Sequence, residues 1–368
     1  MKPELKSLYI YLTDECNLHC MHCWQDAPLA GKDNLSTLKF RECKDFLNTA
    51  ISLGLRSVTF SGGEPLLNSY IFEFASFLKK NNICMAMETN GLLINENIEA
   101  IKNSNIYCCI SLDGINADTH DMHRGLKGAF QKTIKGIEAL EKENLYYQLI
   151  MVISRFNYQE LIPLLNWVKD KWLYSRQFKI NIVVKSGRAN DMYKKGLLFE
   201  IDELLTISDE IGTVVKNYPF QILLHLDPAF FPFKNFSLNY FCGGHCGYNY
   251  SLSILANGEV SICSLGKQIK KYVFGHVSDV DLKDLWENNI ILNEIHESTH
   301  LKLKGICSNC VFRKMCVGGC RANALLEYGD FFAPQPKCQQ YYESGKFPPS
   351  RLIDPTRKIE YCTKRMKF

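Results

Sequence analysis

The chain has 368 residues, 46% of them hydrophobic, and a formal net charge of +4. That supplies enough apolar residue for a core of ordinary size, a length that suggests about two domains, and too little positive charge for the concentrated basic face that nucleic acid demands. No uncharged apolar run approaches a membrane span, and Met1 to Lys6 carries no apolar signal core, so a cytoplasmic protein with neither membrane nor nucleic-acid partner is expected.

The first 185 residues alternate strand-like and helix-like patterns. Leu8 to Leu12 reads as a strand, and Cys16, Cys20 and Cys23 follow it directly. Phe40, Cys43, Leu47, Ala50 and Ile51 recur at helical spacing, with Ser36 as the expected N-cap. Ser57 to Phe60 is the second strand and ends on Ser61, Gly62, Gly63, Glu64 and Pro65. A helix over Tyr70 to Leu78 leads to a strand over Met85 to Met87, which ends on Thr89, Asn90 and Gly91. After a short helix around Ile98 to Ile101, the strand Tyr107 to Ile110 ends on Ser111, Leu112, Asp113 and Gly114. Phe130, Ile134, Ile137 and Leu140 mark a helix, Tyr147 to Ile153 a strand, Leu161 to Val168 a helix and Phe178 to Val184 a strand.

Six strands, each separated from the next by a helix, demand crossover connections and therefore a parallel sheet. A doubly wound sheet and a partial barrel both satisfy this, and in both the reactive site lies at the C-terminal strand ends. A helix over Ile201 to Val215 and a strand over Phe220 to Leu226 follow. Near residue 236 the composition changes. Asn257 and Gly258 signal a hairpin within Ser251 to Val260. The remainder to about 345 is Cys- and Gly-rich with short elements, a core that needs metal staples. Beyond 346, Pro348, Pro349 and scattered basic residues predict a solvated tail. The expected division is 1–235, 236–345 and 346–368.

Sixteen cysteines in a chain without a secretion signal argue against disulfides. Cys43, Cys84, Cys108, Cys109 and Cys362 are scattered and read as small buried hydrophobes. The rest cluster. Cys16, Cys20 and Cys23 can occupy three corners of a cubane that ordinarily takes four thiolates, leaving one iron open. A zinc site completed by His19 or His22, or a redox Cys-x-x-Cys pair, are the alternatives. Gly62 and Gly63 permit close approach of backbone to a ligand, and Glu64 offers a carboxylate to an ammonium group. Downstream, Cys307, Cys310, Cys316 and Cys320 fall close together, with Cys242, Cys246, Cys263 and Cys338 around them. Eight thiolates suffice for two four-cysteine iron–sulfur clusters or for two zinc ions.

The spacing of Cys16, Cys20 and Cys23, followed by Gly62 to Pro65, resembles the radical S-adenosylmethionine (SAM) superfamily. The resemblance implies a partial (β/α)6 TIM-like barrel of α/β class. It implies SAM as cofactor, chelated through its amine and carboxylate by the open iron of a [4Fe–4S] cluster on Cys16, Cys20 and Cys23. Reductive cleavage then yields a 5′-deoxyadenosyl radical that abstracts a substrate hydrogen. By the same resemblance Gly62, Gly63 and Glu64 hold the methionyl amine, and Ser111 and Asp113 lie near the ribose. Ser154 and Asn157 lie near the methionyl part, His22 near the adenine, and Asn90 and Arg124 join the cofactor site.

From 240 to 340 the chain resembles the SPASM domain, a small Cys-rich α+β module with two auxiliary Fe–S clusters. Cys246, Gly258, Cys263, Cys307, Cys310, Cys316, Cys320 and Cys338 meet its pattern. The family pairing implies an inner cluster on Cys242, Cys246, Cys263 and Cys320, and an outer one on Cys307, Cys310, Cys316 and Cys338. If only one of Cys242 and Cys246 binds, the inner cluster keeps an open iron.

The resemblance implies an oxidoreductase, foremost a maturase that crosslinks or oxidises a ribosomally made peptide. Its expected partners are that peptide and a flavodoxin- or ferredoxin-type reductant; since the first strand starts so near Met1, a leader-binding domain would have to be a separate protein or absent. Ser186 to Ala189 resembles a segment common in such maturases, where Arg188 either faces the site or closes a turn. An anaerobic sulfatase maturase is an alternative, although the position of its acidic base is Ser264 here. A small-molecule radical dehydrogenase or decarboxylase is another. A non-catalytic Fe–S carrier would have no use for the Gly62 to Pro65 turn.

Overall fold

A computed structural model of the chain describes residues 3–32, 35–232, 247–264 and 268–357. The elements run β1 (Ser7–Thr13), α1 (Phe40–Ser52), β2 (Ser57–Gly62), α2 (Ile71–Lys80), β3 (Cys84–Thr89), α3 (Ile94–Ser104) and β4 (Ile106–Ser111). Then come α4 (Ala117–Arg124), α5 (Ala129–Lys142), β5 (Tyr147–Ile153), α6 (Leu161–Lys171), β6 (Ser175–Ile182), α7 (Ala189–Lys194), α8 (Ile201–Val214) and β7 (Gln221–His225). The chain continues through β8 (Ser251–Ile254), β9 (Glu259–Ser261), β10 (Val273–His276), α9 (Leu282–Asn288) and α10 (Ile290–Lys302). It ends on α11 (Arg313–Cys316), α12 (Arg321–Tyr328) and α13 (Pro336–Glu343).

Strands β1 to β6 pair in parallel and in sequence order, with β7 beyond β6. Each right-handed crossover therefore steps the same way, which keeps the helices on one face and curls the sheet into a partial barrel. Side chains alternate accordingly. Ile10, Phe60, Met87, Ile110, Leu149 and Phe178 are wholly buried. They face the apolar stripes of the helices, such as Cys43, Phe46, Leu47 and Ala50 of α1. Each large side chain buried this way contributes roughly 1.5–3 kcal/mol. Their neighbours Tyr9, Thr59, Glu88, Ser111, Lys179 and Asn181 point to the opposite, concave face and stay partly exposed. The sheet thus presents a polar hollow rimmed by the strand ends.

The chain forms two compact units that interleave along the sequence: Met1–Leu198, Tyr218–Ile222 and Tyr250–Asn289 in one, Phe199–Asn217, Leu223–Asn249 and Ile290–Phe368 in the other. The hairpin expected at Asn257 and Gly258 is present, with β8 and β9 antiparallel. Its β8 pairs in parallel with β1, Ser7 opposite Ser251 and Ile10 opposite Ile254, so the hairpin extends the barrel sheet. Nothing local in the sequence signals that pairing.

Several expectations need correction. Ser36 does not cap α1, whose N-cap is Lys39. The Ser36 carbonyl instead accepts from Asp14 N at 3.0 Å and Thr13 Oγ1 at 3.3 Å. Helix α4 was not foreseen, because its buried residues are His120, His123 and Arg124 and leave no apolar period to read. Cys84 is exposed, while Cys43, Cys108 and Cys109 are buried as expected. Cys362 lies outside the described residues. The tail is not solvated at its start. Phe347 and Arg351 are buried, Ile353 N donates to Asn309 O at 2.8 Å, and Leu352 bridges to Cys310.

Candidate active site and cluster centres

Cys16, Cys20 and Cys23 lie in the loop leaving β1, packed with Leu18, Ala27, Leu92 and Ala129. The loop doubles back on itself: Cys16 N donates to Pro28 O at 3.0 Å and Ala30 N to Cys16 O at 2.8 Å. Arg188 grips it from outside. Its Nε donates to Cys20 O at 2.8 Å, its Nη1 to Ala27 O at 2.9 Å and Asp26 Oδ1 at 2.8 Å, and its main-chain N to Cys23 O at 3.0 Å. Ser186 Oγ adds a bond to Trp24 O at 3.2 Å. Arg188 is therefore a brace for the cysteine loop, a role that only the folded contacts reveal.

Burial pushes the Cys16 thiol up to about 12. It raises Cys20 as well, against the pull of Arg124. Such thiols become thiolates only when a bound cation replaces the proton, as iron does. Of the two histidines that could supply the fourth ligand of a zinc ion, His19 is exposed. His22 is turned aside: its ring stacks on His123 with centroids 4.1 Å apart, and its Nε2 lies 3.8 Å from Asp113 Oδ2. Three thiols on one apolar-backed loop fit a cubane with an open corner.

The glycine pair also makes a close contact within the chain. A β-carbon on Gly63 would stand 1.9 Å from Glu15 O, and one on Gly62 2.4 Å from Thr13 O. Gly63 N donates to Thr13 O at 2.8 Å and Glu64 N to Glu15 O at 2.7 Å. The glycines thus let the end of β2 lie flat against the root of the cysteine loop. Glu64 is fully buried. Its carboxylate accepts from Thr89 Oγ1 at 2.8 Å, Asn90 N at 2.9 Å and Leu66 N at 3.2 Å. Burial raises its pKa, and these donors oppose the rise. The side chain ties the ends of β2 and β3 together. Gly63→Ala is expected to displace the loop and lower iron retention in the N-terminal site, while the auxiliary iron remains; iron counting on the reconstituted variant checks this.

Asp113, at the end of β4, is the hub of the site and has no exposed surface. Its Oδ2 meets Arg124 Nη2 at 2.7 Å and His123 Nδ1 at 2.8 Å, and its Oδ1 accepts from Val152 N at 2.8 Å. Burial opposes its ionisation, but Arg124 and His123 outweigh it and hold the carboxyl well below the usual range. Arg124 also reaches Cys20 Sγ, its Nη1 at 3.7 Å. One guanidinium therefore links a cluster thiol to the strand-end carboxylate. His22, Asp113 and His123 place ligand atoms within 4.8 Å of one another, as a metal site would. The Arg124 ion pair already supplies Asp113 with its cation.

Asn157 Nδ2 donates to Asp113 O at 2.9 Å and Val152 O at 3.0 Å, and its Oδ1 accepts from Ser154 N at 2.9 Å. Ser154 Oγ accepts from Phe156 N at 3.2 Å. Asn90 Nδ2 donates to Asn17 Oδ1 of the cysteine loop at 2.7 Å. These residues shape the strand ends. Ser111 stays partly exposed on the hollow. His22 Nδ1 and His123 Nε2 are buried without a protein partner among the described residues, the signature of a cradle for a bound group.

In the second unit, Cys307, Cys310, Cys316 and Cys338 line one cavity, together with Pro228, Phe312 and Phe347. Cys307 Sγ accepts from Gln335 N at 3.3 Å. Burial pushes Cys310 up to about 11 and raises the other three. The four cysteines expected to share the outer cluster are thus brought together. Cys320 heads α12, where the main-chain N–H groups of Asn323 and Ala322 oppose the rise that burial imposes on its thiol. Cys263 follows β9 beside Tyr11, whose hydroxyl bonds Ser264. Cys242 and Cys246 lie outside the described residues.

A partial parallel barrel with a three-cysteine loop after its first strand defines the radical SAM class. Residues 10–168 match the family model described as the radical SAM superfamily, and residues 242–311 match that of SPASM, an iron–sulfur cluster-binding domain. The chain thus carries a radical SAM domain followed by a SPASM domain; the first binds SAM and a [4Fe–4S] cluster, the second auxiliary Fe–S clusters. It is 26% identical to the AdoMet-dependent heme synthase of Methanosarcina barkeri, over 91% of this chain and 96% of that one. It is 25% identical to the mycofactocin maturase MftC of Mycolicibacterium smegmatis, over 89% and 81%. Streptococcus suis SuiB has the same fold. With SAM bound its TM-score is 0.71 at 19% identity, covering 92% of this chain and 77% of SuiB. With its precursor peptide SuiA the TM-score is 0.71 at 18% identity, covering 92% and 76%. Among the described residues no helix is long and apolar enough to cross a membrane.

Proposed function

We propose that this enzyme abstracts a hydrogen atom from a residue of a ribosomally made peptide and so directs its crosslinking or oxidation. The observation that carries the reading is the polar hollow of the sheet. It runs from Tyr9 across Glu88 and Ser111 to Asn181, with partly exposed hydrogen-bonding side chains set between Cys109, Ile150 and Val152, a mixed lining that suits an extended substrate. The similarity to a mycofactocin maturase over most of both chains supports it.

Cys16, Cys20 and Cys23 hold the cluster, whose open iron and bound SAM supply the hydrogen-abstracting radical. The stacked rings of His22 and His123 offer a flat wall and unpaired ring nitrogens to the nucleoside. Ser111 faces the ribose. Asp113, Arg124, Asn90, Ser154 and Asn157 position these groups rather than touch the cofactor, since their polar atoms are largely engaged with protein. The main chain at Gly62 and Gly63, set in place by Glu64, receives the methionyl amine. A flavodoxin- or ferredoxin-type protein supplies the electron.

A second reading is decarboxylation of a carboxylated small molecule, favoured by the similarity to a heme synthase over 91% of the chain. The test is anaerobic turnover with SAM, dithionite and a peptide encoded beside the gene. The peptide should lose a pair of hydrogens or gain a crosslink as 5′-deoxyadenosine forms. An unchanged peptide, with a carboxylated iron porphyrin losing carbon dioxide instead, establishes the second reading.

A further inference from the structure

Arg321 follows Cys320 at the start of α12 and is 1% exposed. Its Nη1 donates to the carbonyls of Phe331 at 2.9 Å and Ala333 at 2.6 Å. Its Nε and Nη2 have no protein partner among the described residues. Gly318 shows where the charge stands. That glycine lines the cavity of Cys307, Cys310, Cys316 and Cys338, and a β-carbon on it would lie 2.7 Å from Cζ and Nη2 of Arg321. The guanidinium is therefore immediately behind the cavity wall.

A guanidinium buried against neutral carbonyls is strongly disfavoured unless an anion lies close by. Asp227 is near, but among the described residues no carboxylate forms an ion pair with Arg321, and Asp227 accepts instead from Gln335 Nε2 at 3.3 Å. An iron–sulfur cluster held by four thiolates carries net negative charge, and its reduction potential responds to the charges and donors around it.

We propose that Arg321 is the counter-charge of the auxiliary cluster at Cys307, Cys310, Cys316 and Cys338 and raises its one-electron reduction potential. Adding an electron makes the cluster more negative, and a fixed positive charge close by stabilises that state. No bond is made or broken at Arg321. Asp227 acts with the opposite sign. Its Oδ1 stands where a β-carbon on Gly319 would come within 2.5 Å, so it lies on the same stretch of chain between Cys316 and Cys320. The inference rests on the auxiliary clusters and is independent of which substrate the enzyme takes.

The test is a potentiometric EPR titration of the anaerobically reconstituted full chain, at about pH 8, where carboxylates are ionised. Arg321→Gln should shift an auxiliary signal to more negative potential and leave the signal of the Cys16, Cys20 and Cys23 cluster in place. Arg321→Lys, which keeps the charge, should stay near wild type. Asp227→Asn should move the auxiliary signal to more positive potential. Opposite shifts from two nearby substitutions are not produced by a loosened fold. Unchanged potentials, or shifts of the same sign in Arg321→Gln and Asp227→Asn, overturn the proposal. If Arg321→Gln does not hold iron, Asp227→Asn and Arg321→Lys decide it alone.

Discussion

Cys20→Ala is expected to reduce 5′-deoxyadenosine formation to the background of the uncatalysed reaction, a loss of at least about a thousandfold, while the iron of the second unit remains. The reasoning is coordination chemistry. A cubane on three thiolates has no protein ligand in reserve, so removing one leaves two iron corners open and the cluster labile. Cys20 is also the thiol that Arg124 Nη1 approaches at 3.7 Å, so the substitution removes the one contact between the cluster loop and the Asp113 hub that runs through sulfur. Anaerobic incubation with SAM and dithionite, followed by chromatography of the nucleosides, reads the result. Iron counts on the same sample separate loss of one cluster from loss of all.

Asp113→Asn is expected to cost about 3–5 kcal/mol of stability, the usual penalty for leaving a buried guanidinium without its partner. Arg124 and Asp113 are both buried, and Nη2 meets Oδ2 at 2.7 Å, so solvent does not soften the loss. Denaturant unfolding of wild type and variant measures it. The same hub predicts acid sensitivity. The Asp113 carboxyl ionises at lower pH in the folded chain than in the unfolded one. Its contribution is therefore complete above about pH 4 and is withdrawn as pH falls further. His120 adds to this. Burial, with Arg124 nearby, lowers its pKa from 6.5 to about 4. The unfolded chain binds that proton first, so stability falls as pH drops below the unfolded value and levels off near the folded one, by about 1.4 kcal/mol per pH unit. His120→Asn, whose side-chain oxygen can still accept the Asp113 N–H bond, should flatten the decline between those values.

The barrel strands are legible because each is a short β-rich run between helical periods; the run Tyr147–Ile153 coincides with β5 to the residue. The grouping of the cysteines is legible because their spacing is written locally. What stayed hidden is non-local. The use of Gly62 and Gly63 depends on Thr13 and Glu15, some fifty residues earlier. The grip of Arg188 depends on carbonyls at Cys20 and Ala27, more than 160 residues away. Helix α4 lacks an apolar stripe because its buried face is ionic, and the parallel pairing of β8 with β1 joins segments 244 residues apart, as Ser7 and Ser251 show. The buried Phe347 and Arg351 of the supposed tail carry no periodic signal at all. Chemistry encoded in a spacing can be read from a sequence, whereas bonds to main-chain carbonyls cannot, since every residue has one.

SAM binding at the open iron of a cluster on Cys16, Cys20 and Cys23 is read by EPR of the reduced, reconstituted protein with and without SAM. SAM should alter the spectrum of one reduced [4Fe–4S] cluster, and this response should disappear in Cys20→Ala. A spectrum indifferent to SAM, or an identical response in Cys20→Ala, contradicts it.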